Sequence, residues 1–221
     1  MEKVEPEQTM TYKTVFQNEH FIIVDKAANV LSVPSRMGIE DNRPCLGHIL
    51  QLDLGQTIYP VHRLDFEVSG LIIFALTKKA QSSSNTWFEN KSISKVYSAL
   101  TVSSKVFTIG ETYEWKCILL RGKKRAYESP HGKESLTRAR LVSVDESGQA
   151  LWELRPITGR SHQLRYELFR HGEVIIGDSL YGSTEKFTNE AIALRAYQID
   201  FGKVVNREEF KLPEIISIKS F

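Results

Sequence analysis

The run Leu71–Leu76 (LIIFAL) is the longest unbroken apolar stretch, and it constrains the fold more than any other segment. It falls far short of the roughly 20 residues that a membrane-crossing helix needs. A short, strongly apolar run of this kind reads as a central strand. Thr77 follows it as a helix cap, and Ala80, Ser84, Trp87 and Phe88 then recur at helical spacing. Phe21–Asp25 (FIIVD) is a second apolar run and reads as a buried strand. Residues 31–44, with two prolines and a glycine, read as a loop, and Leu46–Leu52 as a short helix. Lys95–Thr101 alternates as a strand does. Thr137–Val144 and Ala150–Ile157 flank the turn-prone DESGQ and so suggest a hairpin. Ser161–Phe169 reads as a helix with Leu164 and Leu168 on one face and Gly172 as its stop. Ile192–Phe201 reads as the last strand. Strands outnumber helices and several are hairpin-linked. The expected class is therefore α+β, with a mainly antiparallel mixed sheet, flanking helices and a bilobed shape around a central cleft. No boundary has linker composition. Residues 16–221 are read as one unit and 1–15 as a loose N-terminal arm.

Charge narrows the partners. The chain carries 29 basic and 27 acidic residues, a net charge of +2, which excludes a polycation and an acidic tail protein. The balance is uneven, however. Residues 121–140 hold seven bases against two acids, and 155–170 hold four arginines against Glu167. Stretches of this kind suit a phosphate backbone or a solvated face. The two cysteines, Cys45 and Cys117, form no CxxC pair, which argues against a thiolate zinc site or a disulfide framework. The N-terminal segment MEKVEPEQTMTYK lacks an apolar signal core, so a cytoplasmic protein with no membrane partner is expected.

Two segments carry chemistry. In YPVHRLDFEVSGLIIFALT, residues 59–77, Asp65 lies in a polar turn just before the apolar strand. A carboxylate there is held by a rigid element, and a nearby guanidinium, Arg63 or Arg165, keeps it ionised. Such a group can act as nucleophile or base. A turn cap or a structural ion pair uses the same residues. In RPITGRSHQLRYELFR, residues 155–170, a helix start beside Arg160 suits a phosphate, and His162, Gln163 and Arg165 can all donate hydrogen bonds. His62, Asp65, His162 and His171 are the available metal ligands, but no HxxxH or HExxH spacing joins them, so no metal is expected. The absence of GxSxG, GxxxxGK[ST] and GxGxxG leaves no sign of a serine hydrolase or a nucleotide cofactor.

Taken together, these segments resemble the RluA-type pseudouridine synthase family. HRLDFEVSG is similar to its HRLDxxTSG motif and KVYSAL to its K-x-Y-x-A strand. RPITGRSHQLR followed by GEVIIGDSLYG is similar to its TGRxHQ(L/I)R…GxPIxGDxxYG region, and NEHFIIVDKAANVLSVPS to its first strand and loop. The likeness runs from about Phe16 to Phe201, in the family's order. It is greatest to stand-alone members without an S4-type RNA-binding domain. Val68 stands where the family has Thr, and Arg195 where its late pattern has His.

The resemblance implies a catalytic domain over 16–221 that isomerises uridine to pseudouridine in ribosomal or transfer RNA without a cofactor, as a monomer. It makes Asp65 the catalytic carboxylate, Tyr97 the aromatic residue against the uracil, and Arg165 the carboxylate's partner. Arg63 would fill the gap left by the flipped base, and Leu164 would line the uracil pocket. With them, His62, Arg160, His162, Gln163 and the basic Lys123, Lys124 and Arg125 are expected to contact RNA. The segment Arg121–Arg140 would be a basic insertion between strands. Base flipping takes a few kcal/mol, and stacking on an aromatic face returns about 1–3 kcal/mol. A non-catalytic RNA binder on the same fold has no need of Asp65, and a hydrolase would need a paired acid, for which only Glu67 stands near in sequence.

Overall fold

A computed structural model describes residues 10–35, 38–102 and 106–221. Two apolar runs set its centre. β2 (Phe21–Lys26) and β4 (Ser69–Ala75) pair antiparallel in full register, Phe21 opposite Ala75 and Lys26 opposite Gly70. Successive side chains on a strand point to opposite faces. Phe21, Ile23, Leu71 and Ile73 therefore enter one apolar cluster, and Ile22, Val24, Ile72 and Phe74 another. Both faces are buried, which is why these strands read as continuous apolar runs rather than alternating ones. α2 (Lys78–Glu89) covers the first face with Ala80 and Trp87. Its N-cap Thr77 accepts a hydrogen bond from the Ala80 N–H at 3.1 Å. α1 (Leu46–Leu54) and α3 (Gln163–Arg170) cover the second with Leu46, Leu50, Leu164 and Leu168.

The remaining strands are β1 (Tyr12–Gln17), β3 (Tyr59–Pro60), β5 (Ser94–Val102), β6 (Thr112–Arg121), β7 (Ala126–Glu128), β8 (Lys133–Val144), β9 (Gln149–Pro156), β10 (Leu194–Asp200) and β11 (Ile215–Ser217). They form one sheet in the order β1-β2-β4-β10-β5-β9-β8-β6-β7, with β3 paired to β4 and β11 to β10. Among these pairings only β4 with β10 is parallel, so the expected α+β class with a mainly antiparallel mixed sheet holds. The β8–β9 hairpin forms as expected around Asp145–Gly148.

β10 lies between β4 and β5, and the approach to β4 is close. A Cβ on Gly70, whose φ is +115°, would stand 2.2 Å from the Ala196 carbonyl oxygen. Only glycine fits there. Arg195, on the same strand, ties β10 to its neighbours. It pairs with Asp25 at 2.5 Å and donates to Ser69 Oγ at 3.2 Å and the Lys219 carbonyl at 3.0 Å.

Three sequence expectations need correction. Residues 12–15, read as part of a loose arm, belong to β1, which pairs along β2; residues 1–9 lie outside the described residues. Arg121–Arg140 is not an inserted loop. It is the end of β6, the short β7 and the first half of β8, paired in an antiparallel ribbon. The strand at Leu194–Asp200 is not the last, because β11 returns to pair with it.

Candidate active site

Asp65 lies in the loop between β3 and β4, and buried side chains clamp that loop from behind. Ser32 Oγ donates to the Leu64 carbonyl at 2.9 Å and accepts from the Leu64 N–H at 3.0 Å. The Asn29 N–H donates to the Phe66 carbonyl at 2.8 Å. Lys26, fully buried, donates from Nζ to the carbonyls of Ala27 and Val30 at 2.8 Å and of Phe66 at 3.4 Å. Burial pushes its ammonium down to about 7, against the pull of Asp65, Glu67 and Asp25. A carboxylate on a loop pinned at residues 64 and 66 has little freedom to wander.

Arg165 reaches this loop from α3. Its side chain is buried and makes a two-pronged pair with Asp178, Nε to Oδ2 at 2.6 Å and Nη2 to Oδ1 at 2.7 Å. The remaining nitrogen, Nη1, stands 3.2 Å from Glu67 and 3.8 Å from Asp65 Oδ2. Burial works against the guanidinium charge, but the hydrogen bonds and charge of Asp178, then the charges of Glu67 and Asp65, hold its pKa above that of an ordinary arginine. Asp178 is delivered by Gly177, where a Cβ would come within 2.4 Å of the Ala191 carbonyl oxygen.

Tyr97 projects from β5 and is buried. Desolvation, with the Asp65 charge added, raises its phenol above the ordinary tyrosine range, so it stays protonated. His162 caps α3 in the left-handed region. Its Nε2 lies 3.9 Å from Asp65 Oδ2, and its Nδ1 meets the Tyr181 hydroxyl at 3.3 Å. Burial, with Arg165 and Arg121 nearby, pushes its pKa down to about 4, so the ring is neutral at pH 7.

These groups open into a cleft of about 780 Å³. Asp65, Arg165, Tyr97, Leu164, Arg63, Arg160 and His162 all line it, as do Lys123 and Lys124 from the β6–β7 turn. Eight lysines and arginines face the cleft against two acids, Asp65 and Glu67. A strongly basic cleft with one clamped carboxylate at its floor attracts a polyanion and presents it to a base or nucleophile.

Some expected residues play other parts. His62 does not line the cleft. Its Nε2 accepts the Ile73 N–H at 3.0 Å, its ring packs on Phe88 at 5.1 Å, and burial holds it neutral. Gln163 borders the cleft, but its amide is committed to the protein. Oε1 accepts from the Thr158 hydroxyl and the Arg160 N–H, and Nε2 donates to the Leu136 carbonyl and Thr137 Oγ1. These bonds fix the start of α3. Arg125 turns away from the cleft, its guanidinium 5.8 Å over the Phe169 ring. Arg160 divides its side chain, donating from Nε to the Glu134 carbonyl at 2.8 Å while lining the cleft.

Other participants were missed by sequence reasoning. Asp178 and Tyr181 stand within the GDSLYG string, and the paired glycine and aspartate were the available signal. Lys26 gave none, because a lysine after an apolar run reads as a strand end. Arg43 and Lys95 also line the cleft. Arg43 is paired to Asp41 at 2.7 Å, and Lys95 is pushed down to about 8 by burial. Among the described residues no group of three or more His, Cys, Asp or Glu is gathered as metal ligands, and no helix is long and apolar enough to cross a membrane.

Known proteins resemble this chain in sequence and in fold. The family model described as RNA pseudouridylate synthase matches residues 20–170. The chain is 32% identical over 206 residues to the dual-specificity RNA pseudouridine synthase RluA of Yersinia pestis, covering 90% of this chain and 94% of that one. It is 32% identical over 191 residues to the protein of the same name from Escherichia coli K12, covering 84% of each. Among solved structures, human RNA Pseudouridylate Synthase Domain Containing 1 aligns with a TM-score of 0.69 at 22% identity, over 89% of this chain and 81% of that one. Human RNA Pseudouridylate Synthase Domain Containing 4 gives 0.66 at 20%, over 94% and 88%. At those identities the two structures speak for the fold alone.

Proposed function

The chain belongs to the RNA pseudouridylate synthase family and is an isomerase that makes pseudouridine in RNA; from that premise we propose that Asp65 is its catalytic carboxylate and that its targets are structured ribosomal and transfer RNA. The observation that carries this reading is the clamped Asp65 facing Arg165 across a basic cleft that Tyr97 and Leu164 also line. The reaction breaks the bond between uracil N1 and ribose, turns the base and rejoins it through carbon 5. N1 gains a proton and carbon 5 loses one, so the isomerisation is redox-neutral overall and calls for no external oxidant or reductant. Asp65, with the Arg165 guanidinium beside it, supplies the nucleophile or base. Tyr97 offers an aromatic face to the freed uracil and a protonated hydroxyl to its edge. Arg63, exposed at the cleft, fills the stack that the flipped nucleotide leaves.

More than one RNA target is proposed because the relatives carry the name dual-specificity, and ribosomal and transfer RNA are the two that the family resemblance of the motifs implies. Splayed stem-loop bases suit this cleft better than a duplex, whose bases are not free to enter it. We read the enzyme as a cytoplasmic monomer that works without cofactor or metal.

The test is pseudouridine mapping of total RNA, by carbodiimide modification and primer extension, in cells lacking the gene. Complementation uses wild type and Asp65→Ala. Loss of one or a few pseudouridines, restored by wild type alone, supports both the target and the role of Asp65. Restoration by Asp65→Ala refutes that role.

A further inference from the structure

Asp65 has two carboxylate oxygens, and its surroundings treat them differently. Arg165 Nη1 at 3.8 Å and His162 Nε2 at 3.9 Å both have Oδ2 as their nearer oxygen. Both are ion-pair distances, and among the described residues neither oxygen accepts a hydrogen bond. The approach of His162 is built at some cost. Its φ of +55° is left-handed, a region that costs a non-glycine residue about 1 kcal/mol or more and that tends to persist at functional sites. The ring itself is enclosed, with a side-chain exposure of 9%.

Tyr181 orients the ring. Its hydroxyl accepts from the Ala126 N–H at 2.8 Å and has two possible acceptors at 3.3 Å, the Ala126 carbonyl and His162 Nδ1. A neutral imidazole carries one ring proton. When the phenol donates to Nδ1, that proton sits on Nε2, the nitrogen turned toward Asp65. An ionised carboxylate favours the same tautomer, because it attracts an N–H and repels a lone pair.

We propose that His162 is a positioning residue for the isomerisation: with Arg165 it fixes Oδ2 of Asp65 through Nε2–H, and it leaves Oδ1 to face the target nucleotide. The proposal rests on the reading of Asp65 as the reacting carboxylate. The two contacts, at 3.9 and 3.8 Å, are longer than hydrogen bonds, and in this proposal they shorten when the target nucleotide binds, as catalytic hydrogen bonds commonly do.

The test uses the whole protein and bulk ribosomal and transfer RNA labelled with 5-tritiated uridine, isolated from cells lacking the gene. Tritium release reports loss of the carbon 5 hydrogen. His162→Gly keeps the left-handed backbone at no steric cost and leaves a ring-sized space. The expected result is a fall of up to about a hundredfold in the rate at saturating RNA. The half-saturating RNA concentration stays near wild type, and added imidazole restores part of the rate. His162→Asn, which also accepts this backbone, is the second variant and loses rate without imidazole rescue. A glycine variant within about twofold of wild type, one impaired only in half-saturation, or one that imidazole does not help overturns the proposal. Asp65→Asn is run beside it. If Asp65→Asn is inert and His162→Gly is unimpaired, only this inference falls. If Asp65→Asn stays active, the reading of Asp65 falls with it.

Discussion

Replacing Asp178 by Asn tests the electrostatic floor of the cleft. Asp178 is 1% exposed and grips Arg165 through two hydrogen bonds of 2.6 and 2.7 Å. Removing one member of a buried ion pair costs about 3–5 kcal/mol, because the remaining charge stays desolvated. Asn keeps the shape and one acceptor oxygen, and Arg165 still faces Glu67 and Asp65. The cost therefore falls at the lower end, about 3 kcal/mol. At about 2–4 °C per kcal/mol for a chain of this size, Tm drops by roughly 6–12 °C. The comparison is Glu67→Gln, which touches the same guanidinium at 3.2 Å but whose side chain is 34% exposed. Solvent screens that contact, so its loss costs under about 1 kcal/mol. Thermal melting followed by circular dichroism reads both variants, and tritium release reads the rate. Asp178→Asn also slows catalysis at least about tenfold, because Arg165 loses the partner that aims it. A Tm loss below about 2 °C, or equal losses in the two variants, would refute the reasoning that Asp178 is the main anchor.

Three further outcomes follow from the structure. Lys26 has its folded pKa lowered to about 7 from the ordinary 10.5, so between those values the unfolded chain binds more protons and stability rises with pH; urea midpoints taken at about pH 7 and about pH 9.5 should show a rise that Lys26→Met flattens. Gly70→Ala drives a methyl into the β10 backbone at a positive φ, and a loss of at least about 3 kcal/mol, read as a fall in soluble yield and in Tm, is expected. Lys123→Ala with Lys124→Ala should weaken RNA binding and lower the slope of log affinity against log salt by about 1.4, at ~0.7 per lost contact on single strands. Arg125→Ala, whose guanidinium stacks on Phe169, should change the slope less.

Much of this fold was legible because its signals are local. Two apolar runs became β2 and β4, Thr77 capped α2, and the DESGQ turn made the β8–β9 hairpin. What failed depends on distant partners. β1 is half-exposed and polar, so nothing in YKTVFQ announces that it lies along Phe21–Lys26. β6 buries Trp115, Cys117 and Leu119 in clean alternation, but the basic run after it drew attention to charge rather than periodicity. α3 starts at Gln163 and not at Ser161, because His162 sits in the left-handed region. The site divides the same way. Asp65, Tyr97 and Arg165 could be named from motifs. That Asp178 is the main partner of Arg165 could not, since it requires folding two segments together. The sequence also could not show that His62 Nε2 accepts the Ile73 N–H and that the Gln163 amide bonds Leu136, Thr137, Thr158 and Arg160.

The placing of β10 also sets when the enzyme can become an enzyme. Asp65 precedes β4 and Tyr97 lies on β5, yet these strands do not touch; β10, residues 194–200, lies between them. A growing chain emerges from its N-terminus, so both halves of the proposed catalytic pair are made long before the strand that joins them. Until then β5 presents an unpaired edge, and so does the start of β4 at Ser69 and Gly70, the kind of surface that recruits foreign strands. Synthesis thus ends with a closing step in which one late strand covers two edges and brings the aspartate and the tyrosine to a common cleft. A nascent chain stopped before Leu194 holds both residues and cannot bring them together.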